Sequence, residues 1–234
     1  MAEALRLAEQ GLYTTDPNPR VGCVISKDGK IVGRGFHRKA GEAHAEVNAL
    51  RDAGKDARGA TVYVTLEPCN HTGRTPPCVD ALIQAGVGRV IAAMQDPNPK
   101  VAGQGFERLE AAGIKTACGL METQSRALNP GFISRMTRGR PWVRSKLAIS
   151  LDGRTALADG ESKWISDTAA REDAHRWRAR SSAILTGSGT VVADDPALTV
   201  RLDDGAGEWR QPLRVVVDSG LRISPSARLL KETG

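Results

Sequence analysis

The chain has 234 residues, 40% hydrophobic and 26% charged, which is enough apolar material for a packed core and places it with folded chains rather than disordered ones. Aromatic residues make up only 4%, which argues against a surface that stacks single-stranded nucleic acid. The formal net charge of +6 fits phosphorylated small molecules, nucleic acid, an anionic membrane or simply a solvated surface, and no run of like charges forms a basic tail.

Residues 2–11 predict an amphipathic helix with Leu5, Leu7, Ala8 and Leu12 on its apolar side. The segment has no continuous apolar run, so it does not read as a signal peptide, and no stretch of about 18 apolar residues predicts a membrane span. A turn cluster, TTDPNPRVG, leads to strands over 21–26 and 30–35, joined by a turn at Lys27, Asp28 and Gly29. A helix is expected over 44–51, a buried strand over 60–66, a loop over 68–77 and a helix over 78–85. A strand over 87–93, a turn at 96–99, a helix over 106–112 and a strand over 113–118 follow. Strands alternating with helices point to a layered α/β sheet. The first domain is expected to cover 1–140, closing in the polar TRGRP segment at 137–141. The second, 141–234, should hold strands over 142–150, 182–186 and 213–218 and a basic helix over 173–180. The ending SPSARLLKETG reads as neither a strand nor a capped helix.

Four cysteines without a secretion signal favour metal binding or catalysis over disulfides and suggest a cytoplasmic protein. Three short pieces carry the chemistry: His44-Ala45-Glu46, Glu67-Pro68-Cys69 and Pro77-Cys78. A catalytic zinc takes three protein ligands and keeps a fourth position for water, whose proton it loosens. His44, Cys69 and Cys78 supply the ligands. Glu46 stands two residues beyond His44, where its carboxylate can take a proton from water and pass it to a leaving amine. Cys78 should open a helix, whose free amides and dipole favour a thiolate. The pattern H-x-E followed by P-C-x-x-C marks zinc deaminases of bases. Here the cysteines are separated by residues 70–77 rather than by two. His71 would be a fourth ligand if the site were structural. Cys23 and Cys118, in strand-like runs, are expected to be inert core thiols. Two other readings share the metal: a deaminase of tRNA or free nucleosides, and a non-catalytic zinc scaffold, which would not need Glu46.

The segments PNPRVGCVI, GFHRKAGEAHAEVNAL, YVTLEPCNHTGRTPPC and MQDPNPKVAGQG together resemble the deaminase half of the bifunctional riboflavin-biosynthesis deaminase/reductase family, in which the insert between the cysteines is a family variation. KLAISLDGRTA, GESKWIS and TGSGTVVADDPALTVR resemble the start of that family's reductase domain. The resemblance implies a three-layer cytidine-deaminase-like domain with zinc, followed by the N-terminal part of a dihydrofolate-reductase-like domain that uses NADPH. The family's reductase domain continues past the point where this sequence ends, which reads as a C-terminal truncation. The implied reactions are deamination of diaminohydroxyphosphoribosylaminopyrimidine and reduction of its ribosyl group to ribityl. The implied partner is therefore a phosphorylated pyrimidine, not nucleic acid or membrane, in a homo-oligomer. Carried over by position, Asn18, His37, His71 and Arg74 are candidate deaminase substrate contacts. Ala148, Trp164, Thr190, Asp194 and Ser219 are candidate NADP contacts, and Ser162, Arg178, Leu198 and Arg201 candidate reductase substrate contacts. Spacing alone offers only Gly187-Ser188-Gly189 there, a weak phosphate-loop hint.

Overall fold

The continuous apolar run after Arg20 forms strand β1 (Gly22–Lys27), buried over its first four residues, which turns back through Asp28 and Gly29 into β2 (Lys30–Phe36). The computed structural model describes residues 1–73, 75–99, 101–202 and 207–232. Its contacts separate two units, Met1–Trp142 and Val143–Gly234. Helix α1 (Ala2–Glu9) precedes the hairpin, and α2 (Ala45–Ala53) follows it. Strand β3 (Thr61–Val64), α3 (Cys78–Ala85), β4 (Arg89–Ala92), α4 (Gln104–Ala111) and β5 (Lys115–Cys118) come next. The unit closes with α5 (Glu122–Leu128) and α6 (Pro130–Arg138).

The five strands order as β2-β1-β3-β4-β5, with β1 antiparallel to both neighbours and β3, β4 and β5 parallel. Alternate residues of β1 serve opposite faces, as the period of a strand requires. Cys23 and Ile25 join the main core with Ala45, Ala49, Val79 and Leu82 of α2 and α3, whereas Val24 packs with Ala4 and Leu7 of α1. The result is a sheet between helical layers. Helix α2 lies almost on the backbone of β2. A Cβ at Gly35 would stand 2.3 Å from the Ala45 carbonyl oxygen and 2.4 Å from the Ala49 nitrogen. Only glycine permits that approach.

In the second unit, α7 (Thr168–Ala179) starts earlier than the sequence suggests, because the Asp167 side chain caps it by accepting from the Ala170 N–H at 2.8 Å. Strands β6 (Ala183–Gly187) and β7 (Leu213–Val217) pair in parallel, with α8 (Ser188–Asp194) between them in sequence and a short α9 (Arg228–Lys231) near the end. The indole of Trp177 lies between two guanidinium groups, Arg144 at 3.6 Å and Arg180 at 4.3 Å from the ring centroid.

Three expectations are corrected. Residues 142–150 form no strand: their composition suits one, but a strand exists only by pairing, and among the described residues no strand lies against them; Ser150 bonds only within its own turn, to Gly153 and Arg154. Their Val143, Leu147 and Ile149 stand exposed. Cys118 is not a core thiol. It ends β5 at the edge of the sheet and is exposed, unlike the buried Cys23. The boundary segment is partly helical, since α6 runs to Arg138 before Gly139 ends it in a left-handed conformation.

Two outcomes follow from the packing. Gly35→Ala should lower stability by about 1–3 kcal/mol through overpacking, read as a shift in the denaturant midpoint, and should loosen the helix that carries Glu46. Residues 138–147 are exposed, so limited proteolysis should cut first between Arg138 and Arg144, leaving the first unit as the resistant fragment. Equal survival of both halves would contradict that ranking.

Candidate metal centre and active site

The metal-ligating side chains come from three elements that the sheet brings together. His44 is the N-cap residue of α2, in extended conformation, and its side chain makes no capping bond. The imidazole is instead turned to the cysteines: Nδ1 lies 3.2 Å from Cys78 Sγ and 3.5 Å from Cys69 Sγ. Cys69 follows the end of β3, and Cys78 is the first residue of α3. The Cys78 backbone N–H donates to Cys69 Sγ at 3.3 Å, and the Val79 N–H donates to the Cys69 carbonyl at 3.3 Å. The first turn of α3 therefore holds both ends of Cys69.

The three ligand atoms lie within 4.8 Å of one another. Zinc bonds of ordinary length in tetrahedral geometry would separate nitrogen and sulfur by about 3.6 Å, so the observed pairs need only a small expansion to take the ion. The two thiols behave unequally. Hydrogen bonding from Cys78, helped by His44, pushes Cys69 well below the ordinary thiol range, while the bond to Cys69 and burial push Cys78 up. One sulfur is thus disposed to be a thiolate before any metal arrives. His71 does not join the cluster. Its side chain is exposed on the loop between the cysteines.

Glu46 is only 3% exposed. Burial, reinforced by the negative charge of Cys69, pushes its carboxyl up to about 7. Together with His44 it lines a cavity of about 400 Å³ that Asn18, His37, His71 and Asp96 also border. His37 is buried, which pushes its ring toward the neutral form, and it packs edge-on to His44 with centroids 5.1 Å apart. Arg74 lies outside the described residues.

Sequence reading missed three groups. Glu67 accepts from the N–H groups of Asp96, Gly103 and Gly105, at 3.1, 3.0 and 3.0 Å. It ties the strand end that carries Cys69 to the start of α4. Gly105 sits so close that a Cβ there would meet the Pro68 carbonyl at 2.4 Å. Asp96 lines the cavity with its carboxyl pushed up to about 6, chiefly by burial. Arg135 reaches the cavity from α6 and donates to the Pro17 carbonyl at 2.9 Å. A signal for α6 was present: Asn129 followed by Pro130 is a helix start with proline in the first turn.

In the second unit the structure gathers part of the candidate set. Arg178 donates to the Thr199 carbonyl at 2.9 Å and Arg201 to the Thr199 hydroxyl at 3.0 Å, beside the buried Leu198. Burial and the nearby Arg201 push Arg178 down from the usual guanidinium range. Trp164 is exposed, with the Arg171 guanidinium 4.4 Å from its ring centre. Thr190 and Asp194 are exposed on α8, Ser219 is exposed just after β7, and Ser162 and Ala148 are half-buried in irregular segments. Gly187-Ser188-Gly189 forms the turn from β6 into α8, where the Ser188 hydroxyl accepts from Arg222.

Residues 1–94 match the profile described as the cytidine and deoxycytidylate deaminase zinc-binding region, and residues 141–234 match the RibD C-terminal domain. The riboflavin biosynthesis protein RibD of Escherichia coli K12 is 58% identical over the whole of this chain, which covers 66% of that protein. The chain belongs to the RibD family. Its counterpart in Aquifex aeolicus is 48% identical over 98% of this chain and 64% of its own length. Two solved structures have the same architecture. RibD of Acinetobacter baumannii matches with a TM-score of 0.94 at 53% identity, covering 98% of this chain and 65% of that one. The diaminohydroxyphosphoribosylaminopyrimidine deaminase/5-amino-6-(5-phosphoribosylamino)uracil reductase of Thermotoga maritima matches at 0.91 and 43%, covering 99% and 66%. The chain therefore spans about two thirds of the length of the relatives it matches. Its first unit is a cytidine-deaminase-like domain, and its second corresponds to part of the dihydrofolate-reductase-like RibD C-terminal domain. Among the described residues, no helix is long and apolar enough to cross a membrane.

The raised Glu46 carboxyl has a signed consequence for the metal-free protein. It binds its proton more tightly folded than unfolded between the ordinary value of 4.5 and about 7, so stability should fall as pH rises through that window. Glu46→Gln should flatten that part of the profile in chelator-treated protein followed by denaturant melts. An unchanged slope would contradict the assignment.

Proposed function

We propose that the first unit hydrolyses the exocyclic amine of diaminohydroxyphosphoribosylaminopyrimidine, releasing ammonia and leaving the aminouracil. The observation that carries this reading is a buried, readily protonated Glu46 carboxyl next to a His/Cys/Cys cluster at one cavity. A scaffold site would have no use for a carboxyl whose burial costs stability. When bound, zinc supplies the Lewis acidity that activates water at its open position. His44, Cys69 and Cys78 would hold it. A Glu46 carboxylate oxygen takes the water proton and returns it to the departing nitrogen. His71, two residues beyond Cys69, and Arg74 are the candidate partners of the substrate phosphate, together with Arg135 at the cavity; guanidinium groups bind phosphate in a fork.

For the second unit we propose part of an NADPH-dependent reductase. The Arg178 and Arg201 pair supports an anionic substrate group there, and Ala148, Trp164, Thr190, Asp194 and Ser219 remain cofactor candidates by resemblance alone. A homo-oligomeric working form rests on the same resemblance, and a cytoplasmic location on the reading of the four cysteines as metal-binding or catalytic rather than disulfide-forming.

Ammonia release from the diamino pyrimidine by zinc-loaded protein should fall about 10²–10⁴-fold in Glu46→Gln, with zinc content unchanged. Release from cytidine or a tRNA stem-loop, and none from the pyrimidine, would replace this reading with that of a nucleoside or tRNA deaminase.

A further inference from the structure

His37 has no free edge. Its Nδ1 lies 3.2 Å from the Ala43 carbonyl oxygen, and its Nε2 lies 3.0 Å from the Asn18 side-chain nitrogen. A carbonyl oxygen can only accept, so the ring proton belongs on Nδ1. In the neutral ring, Nε2 is then a bare acceptor and requires a donor opposite. The Asn18 amide offers one at its NH₂ end only. That choice fixes the whole amide, because oxygen and nitrogen sit at opposite ends of one rigid group.

The Asn18 backbone is held as firmly. Its N–H donates to the Thr15 carbonyl at 2.8 Å. Two residues on, the Arg20 N–H and carbonyl both bond the buried Asn129 side chain, at 2.8 and 2.9 Å. Asn18 borders the cavity shared with Glu46 and His44.

We infer that His37 is a positioning residue, which locks the Asn18 amide so that its oxygen is kept for the cavity and accepts a hydrogen bond from an N–H of the bound pyrimidine. This rests on the deaminase reading of the same site and reassigns His37, which resemblance had placed among the substrate contacts. Both ring nitrogens are taken by protein groups, so the ring offers the substrate no hydrogen bond of its own. It selects which end of a neighbouring amide offers one, and so selects for ligands that present a donor at that point.

Two measurements test it, and the first does not depend on catalysis. Long-range proton–nitrogen NMR of histidine-labelled, zinc-loaded protein, assigned against His37→Phe, should show the His37 ring neutral with its proton on Nδ1. A proton on Nε2 would overturn the proposal. The second is a double-mutant cycle on deamination. His37→Phe and Asn18→Ala should each lower kcat/KM by about 10-fold, mainly through KM. The double variant should be no worse than Asn18→Ala alone. Additive losses would mean that His37 meets the substrate itself and would overturn the positioning role. An Nδ1 proton in a wild-type protein inactive on the pyrimidine would sustain the amide lock while rejecting that substrate.

Discussion

The close seating of α2 on the glycine-bearing face of β2 sets the position of everything in the first unit. His44 caps that helix, Glu46 sits in its first turn, and the core alanines at 45 and 49 let it lie against the sheet. With a side chain at Gly35 the helix would have to lift, and Nδ1 of His44 would leave the two sulfurs it now faces. The metal-ligating geometry is thus a packing result before it is a coordination result. Glu67 and α3 do for the cysteine side what the glycines do for the histidine side: backbone amides, rather than long flexible side chains, hold the ligand loop.

The electrostatics of the site follow from that enclosure. Burial pushes Glu46, Asp96 and Cys78 toward their protonated forms, while Cys69, bonded by Cys78 and His44, goes the other way and concentrates the negative charge on one sulfur. A divalent cation relieves the repulsion, which is why a cluster costly to fold without metal is well made to receive it. The part of the cavity that Asn18 and His37 border is arranged differently. There the polar side chains are bonded to one another in a directed way, the Asn18 nitrogen to the His37 ring and that ring to the Ala43 carbonyl.

Much of this was legible in the sequence. The H-A-E and E-P-C pieces gave the ligands because helix starts and strand ends are local features with strong residue preferences. Cys78 opens α3 and His44 caps α2, within a residue of where spacing put them. What escaped detection depended on contacts far apart in the chain. Glu67 belongs to the E-P-C piece but had no role of its own there, because its partners are about 30 to 40 residues away. Arg135 arrives on a helix whose pattern was overlooked. The strand expected over 142–150 failed for the same reason in reverse: local composition favours a strand, but pairing is not a local property. Cys118 shows the limit of reading burial from β-propensity, since an edge strand can present its last residue to water.

The break between the units at Trp142 also divides the chromophores. All four tryptophans, at 142, 164, 177 and 209, lie at or beyond the boundary, while both tyrosines, Tyr13 and Tyr63, lie in the first unit. Indole emission therefore reports on the second unit and its border, above all on Trp177 between its two arginines, and is nearly blind to the deaminase domain. The metal-bearing half must be watched through tyrosine absorbance or through the charge-transfer bands of a cobalt-substituted thiolate site, so the two halves of one chain can be followed independently in a single cuvette.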